Sequence, residues 1–122
     1  MTTLEVGKKL VELCSIGQNA KAIETLYSPD IVSVEAMSMP NMPAEMRGIA
    51  AIVGKNKWWI ENHEVHFASC AGPYPHGDRF IVNFKCDITN KPSGHRMQMD
   101  EIGLFTVQNG KVTSEEFLYV TG

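Results

Sequence analysis

The C-terminal half of the chain reads as strand after strand, and the turns between the strands are too short for anything but antiparallel neighbours. Four runs, Glu64 to Ala71, Asp78 to Ile88, His95 to Val107 and Lys111 to Val120, are separated by Pro73-Tyr74-Pro75-His76-Gly77, Asn90-Lys91-Pro92-Ser93-Gly94 and Asn109-Gly110. Parallel strands need a crossover of about a dozen residues or more, so these linkers predict a meander, with Asn109-Gly110 as a tight hairpin turn. Within the second run Phe80, Val82, Phe84, Cys86 and Ile88 share one face, while Arg79, Ile81, Asn83, Lys85 and Asp87 share the other. Side chains alternate along a strand, so the first face meets a core. The second is solvated or pairs with another subunit.

The cover for the core face has to come from the first half. Leu4, Val6, Leu10, Leu13 and Cys14 follow a helical stripe from Thr3 to about Ile16, with Thr2 or Thr3 able to cap its start and Gly17 its end. A second helix is predicted from Asn19 to Tyr27, stopped by Pro29, and Ile31 to Glu35 reads as a short strand. Ala36 to Met46 holds two prolines and four methionines, which predicts a loop of adaptable apolar surface. Gly48 to Asn62 returns to helix, with Ile49, Ile52, Val53, Trp59, Ile60 and His63 on a broad face. The predicted fold class is α+β: one domain over residues 1–122, a cone of three N-terminal helices packed on a curved antiparallel meander sheet.

Composition narrows the partners. With 122 residues, a net charge of −3 and 20% charged residues, the chain has no basic field for phosphates, so neither nucleic acid nor an anionic membrane is an expected partner. Cys14, Cys70 and Cys86 are odd in number and widely spaced, and nothing after Met1 resembles a cleavable leader. A reduced, cytoplasmic protein is expected. His63 and His66 have an HxxH spacing but are assigned to a helix end and a strand, so no metal site is expected.

The helical hairpin, the segment Leu26-Tyr27-Ser28-Pro29-Asp30-Ile31-Val32-Ser33-Val34-Glu35, the Arg47-Gly48-Ile49 start of the third helix and the Asn109-Gly110-Lys111-Val112 hairpin together resemble the nuclear-transport-factor-2-like superfamily, in its SnoaL-like branch. The resemblance spans nearly the whole chain. It implies the cone-shaped fold but no single reaction, since the superfamily includes isomerases, cyclases, dehydratases, hydrolases and proteins without a known reaction. Aligned with ketosteroid isomerase, the general-base aspartate falls on Glu35, whereas the two oxyanion donors fall near Leu10 and near Ile102, which cannot donate a hydrogen bond. That isomerase mechanism is therefore not expected. SnoaL-like cyclases carry a histidine where Glu115 stands and an aspartate near Tyr119 and Val120.

These comparisons and the residues themselves select the candidate site. Glu35, after an apolar strand and before the methionine loop, is the candidate base, with desolvation expected to raise its pKa; the alternative is a solvated strand end. Asp100 and Glu101 point to opposite faces, and Asp100, on the face of Ile102, is the better pocket candidate, the favoured alternative for either being a solvated or dimer-face carboxylate. Glu115 is favoured over Glu116, and Tyr119 is a candidate donor to a carbonyl. Leu10, Trp59, Ile102, Phe117, Met37 and Met39 are the candidate pocket lining, although a core anchor is the favoured reading of Trp59 over a surface that stacks on a ligand. The resulting expectation is a cofactor-independent isomerase, cyclase or dehydratase moving a proton on an apolar carbonyl compound. The alternatives are a non-catalytic binding protein and a module that dimerises or interacts through its exposed sheet face.

Overall fold

The computed structural model describes residues 1–39 and 42–120 and contains three helices and one six-stranded sheet. Helix α1 (Thr3–Ser15) starts with a reciprocal capping box. Thr2 Oγ1 accepts from the Glu5 amide at 3.2 Å, and Glu5 Oε1 accepts from the Thr2 amide at 2.9 Å. Helix α2 (Asn19–Leu26) stops one residue earlier than the sequence suggests, because Tyr27 is already extended. Strand β1 (Tyr27–Val34) follows at once and runs through Pro29, whose missing N–H falls where pairing with the neighbouring strand lapses between Tyr27 and Val32.

The predicted loop before the third helix is a hairpin arm. Glu35 N donates to Ala44 O at 2.8 Å, Met39 and Met42 exchange backbone bonds, and β2 (Glu45–Arg47) pairs antiparallel with β1. Pro40 lies outside the described residues. Pro43 precedes a three-residue edge strand, where a missing N–H costs little. Helix α3 is Ile49–Asn62. Its broad predicted apolar face is narrower in fact: Ile52 is 1% exposed, whereas Val53 and Ile60 are 50% and 53% exposed.

The meander strands are β3 (His63–His76), β4 (Arg79–Asn90), β5 (Arg96–Gln108) and β6 (Lys111–Leu118), paired antiparallel in sequence. β3 extends through the predicted Pro73 to His76 loop, with a register shift between Ala71 and Tyr74. It can do so because it is an edge strand in the order β2-β1-β6-β5-β4-β3. β1 pairs with β6 in parallel, so the sheet is mixed rather than purely antiparallel. The Asn109-Gly110 turn has φ of 53° and 75°, as a primed hairpin turn demands.

The core lies between the helices and the inner sheet face. It joins Val6, Leu10 and Leu13 of α1 to Ile23 and Leu26 of α2, Ile52 of α3, and Phe80, Val82, Phe105 and Val112 of the sheet. Phe80 stacks on Phe105 at 5.0 Å, and Phe84 and Phe117 meet Phe105 edge-on at 6.2 Å. Gly103 is what allows this. A Cβ there would lie 2.6 Å from a Phe105 ring carbon and 2.9 Å from one of Phe84. Gly103→Ala is expected to cost about 1–3 kcal/mol through overpacking, measured as a lower urea midpoint with an unchanged m-value.

Candidate functional site

The parallel pairing of β1 with β6 sets Ser33 beside Glu115, both on the inner face. Glu115 is 3% exposed, and its Oε1 accepts from Ser33 Oγ at 2.8 Å while its Oε2 accepts from the Tyr27 hydroxyl. Burial raises the Glu115 pKa above the usual carboxylate range, against the opposing effects of the Tyr27 hydrogen bond, Lys55 and Ser33. Burial also pushes the Tyr27 hydroxyl well above its ordinary value, with the Glu115 charge adding to it.

Helix α3 contributes Lys55, one turn from the buried Ile52 and on the same side. Its Nζ donates to Ser33 Oγ at 2.7 Å and to Glu35 Oε2 at 3.1 Å, and lies 5.4 Å from the centre of the Phe117 ring. The Lys55 and Glu35 side chains are only 15% and 27% exposed, so this ion pair is largely sheltered from water. Tyr119, just past β6, donates to Glu35 Oε1 at 3.2 Å. Its own pKa is pushed up to about 12 by burial and by the adjacent Glu35 charge.

On β5 the structure corrects the choice between the two acidic neighbours. Phe84 pairs with Glu101 and Phe105 with Glu115, which puts Glu101 on the inner face. Burial pushes its carboxyl up to about 7, with the negative Glu35 adding and Lys55 opposing. Asp100 and Ile102 lie on the outer face, where Asp100 is exposed and accepts from Asn83 Nδ2 at 2.8 Å. Strand alternation from the buried Phe105 and Val107 turns Asp100 outward. On β6 a bulge decides: Val107 pairs with Val112 but Thr106 with Ser114, so Thr113 is an extra residue. Without it Leu104, on the face of Asp100, would oppose Glu115; with it Glu115 and Glu101 share a face.

The other candidates are spread out. Leu10 is 1% exposed and belongs to the hydrophobic core. Phe117 packs against Phe84 and Phe105 beneath Lys55. Trp59 stacks on His63 with ring centres 4.5 Å apart, and Met37 and Met39 are 48% and 44% exposed on the hairpin arm beyond Glu35. Desolvation raises the carboxyls of Glu101 and Glu115. Lys55 is absent from the residues that the sequence points to, although its spacing of three from Ile52 is the signal that places it on the inward side of α3. Among the described residues no group of three or more His, Cys, Asp or Glu is arranged to hold a metal ion, and no helix is long and apolar enough to cross a membrane. Two open concavities, of 620 Å³ by Phe67, Lys85 and Asp100 and of 290 Å³ by Tyr74, Ile81 and Leu104, touch neither Glu35 nor Lys55.

Residues 1–119 match the family model for the SnoaL-like domain, and the chain belongs to that family. It is similar to a protein from Mesorhizobium loti named as a candidate SnoaL-like polyketide cyclase, with carbohydrate phosphatase added in brackets. The two share 49% identity and a TM-score of 0.92 over 98% of this chain and 100% of that one. A nuclear-transport-factor-2-like protein from Burkholderia thailandensis shares 17% identity at a TM-score of 0.80, covering 97% of this chain and 90% of its own. A candidate isomerase from Bacillus subtilis shares 17% identity at 0.76, covering 96% and 88%. These last two show the fold alone. No curated protein matches the chain.

The raised Glu101 pKa makes stability depend on pH with a definite sign. Between the unfolded value of 4.5 and about 7 the folded protein holds a proton that the unfolded chain has lost, so stability falls as pH rises through that window. The loss in wild type relative to Glu101→Gln is expected to be about 2–3 kcal/mol between pH 5 and pH 8, read from urea titrations at both values.

Proposed function

We propose that the chain binds a mainly apolar carbonyl compound in a cone between α3 and the inner sheet face, and moves a proton on it without a cofactor. The observation that carries this reading is the sheltered Glu35–Lys55 ion pair beside a carboxyl, Glu101, that keeps its proton to about pH 7. Two carboxyl groups in different environments divide acid and base roles. Glu35, held by Tyr119 and Lys55, is the base that removes a proton next to the carbonyl. Lys55 stabilises the enolate oxygen, and Glu101 in its acid form returns a proton. An ammonium in a poorly solvated site serves the charge that develops in the transition state, the task for which Leu10 and Ile102 are unsuited. Met37 and Met39 on the hairpin arm supply adaptable apolar cover for the ligand. The name of the Mesorhizobium loti relative favours an aldol-type cyclisation among the reactions open to such a site.

Exchange of carbonyl-adjacent protons with deuterated water, followed by NMR across a panel of cyclic ketones and 1,3-diketones, tests the chemistry without knowledge of the natural substrate. Wild type is expected to accelerate exchange on some members. Glu35→Gln and Glu101→Gln are expected to lower the rate by about 10²-fold or more. Acceleration no greater than buffer, or full rates in both variants, would sink the proposal.

A second reading concerns assembly. Tyr74, 58% exposed on the outer face of β3, lies opposite Ile81 on β4; Phe67, 65% exposed, is on the same face further along, opposite Asp87, and Leu118 of β6 is 46% exposed. We infer that this face pairs two copies of the chain. Light scattering should then give a dimer for wild type and a monomer for Phe67→Glu/Ile81→Glu, and a monomeric wild type at tens of micromolar refutes it.

A further inference from the structure

Glu115 is too deeply buried to meet a ligand, yet it connects to the residues that would. Its Oε1 takes the only proton that Ser33 Oγ can donate, at 2.8 Å. With that proton committed, the lone pairs of Ser33 are left to accept, and Lys55 Nζ donates to them at 2.7 Å. Lys55 spends a second N–H on Glu35 at 3.1 Å. An ammonium has three donors, and among the described residues the third has no protein partner. Two hydrogen bonds, to Ser33 on β1 and to Glu35 just past its end, together with the Phe117 ring of β6 5.4 Å away, therefore aim the remaining N–H.

We propose that Glu115 is a positioning residue: through Ser33 it fixes the Lys55 ammonium so that its one uncommitted N–H faces the ligand. The inference rests on the proposed function only for what that N–H would bind. The chain of contacts explains why a carboxyl is kept at a 3% exposed position where an apolar side chain would be cheaper to bury. A neutral hydroxyl in place of Glu115 could rotate to accept from Ser33 or from Tyr27. In its ionised form Glu115 only accepts, so it leaves Ser33 a single orientation. Tyr27 occupies the other oxygen and does not reach Lys55 directly, which makes it a natural comparison.

Hydrogen exchange of the Lys55 ammonium with solvent, observed on its 15Nζ resonance in the cold at slightly acidic pH, reads this arrangement with no substrate present. The resonance is assigned by its loss in Lys55→Met. Ser33→Ala and Glu115→Gln are expected to speed exchange by about tenfold, the effect of releasing one charge-assisted hydrogen bond. Tyr27→Phe removes the other buried donor to Glu115, with a similar loss of stability, and is expected to leave exchange within about twofold of wild type. Unchanged exchange in Ser33→Ala overturns the proposal even if Glu115→Gln does not fold. Equal acceleration in Tyr27→Phe overturns it too, since general loosening would then be the cause. Because no turnover is measured, a failure here is distinct from a failure of the carbonyl proton-exchange assay.

Discussion

The parallel alignment of β1 with β6 is the constraint on which the rest of the site depends. It closes the meander with a strand from the N-terminal half, and it does so in the register that sets Ser33 opposite Glu115. A buried carboxyl is costly unless its oxygens are satisfied. Here one is satisfied by β1 through Ser33 and the other by the residue that opens β1, Tyr27. A register slip of one residue would turn Ser33 outward and leave Glu115 unpaired in the core, so the polar pair specifies the register that apolar packing alone would leave open. Helix α3 is then drawn in by Lys55, which reaches the same Ser33.

Two layers with different roles lie on this frame. Toward the two-helix hairpin the inner face is dry, with Phe80 and Phe105 stacked under Val6 and Leu10 and with Gly103 clearing room for the rings. Toward α3 it becomes polar, with Glu101, Glu115, Lys55 and Glu35 set around Phe117 and Phe84. The dry layer gives rigidity, and the polar layer uses it: a carboxyl keeps its proton to about pH 7 only where packing holds water back and a second negative charge close by.

Much of the fold was legible because its signals are local. Asn109-Gly110 demanded a hairpin, the strand of Phe80, Val82 and Ile88 sorted its own faces, and Thr2 with Glu5 marked a helix start. The misreadings arose where a distant partner decides. Pro73 looked like a turn, but on an edge strand its missing N–H has no ladder bond to lose. The arm at Pro43 looked like a loop, but β1 lends it a partner through β2. The parallel strand pair had no local signature at all.

The site was half legible for a sharper reason. In the sequence Asp100 is favoured by the face it shares with Ile102 and Glu115 by the comparison with the cyclases; in an undisturbed two-residue hairpin Glu115 would oppose Leu104 and share a face with Asp100. One extra residue, Thr113, breaks that symmetry, and its hydroxyl donates to Thr106 O at 3.4 Å beside the shift. Nothing in Lys111-Val112-Thr113-Ser114 announces a bulge by composition. Its effect is nonetheless decisive: it brings two carboxyl groups from adjacent strands onto the face that holds Lys55, instead of leaving one on each side of the sheet. Bulges occur where a strand must re-aim a side chain, and here the re-aimed side chains are Glu115, Phe117 and, past the strand's end, Tyr119, the three through which β6 touches the cluster.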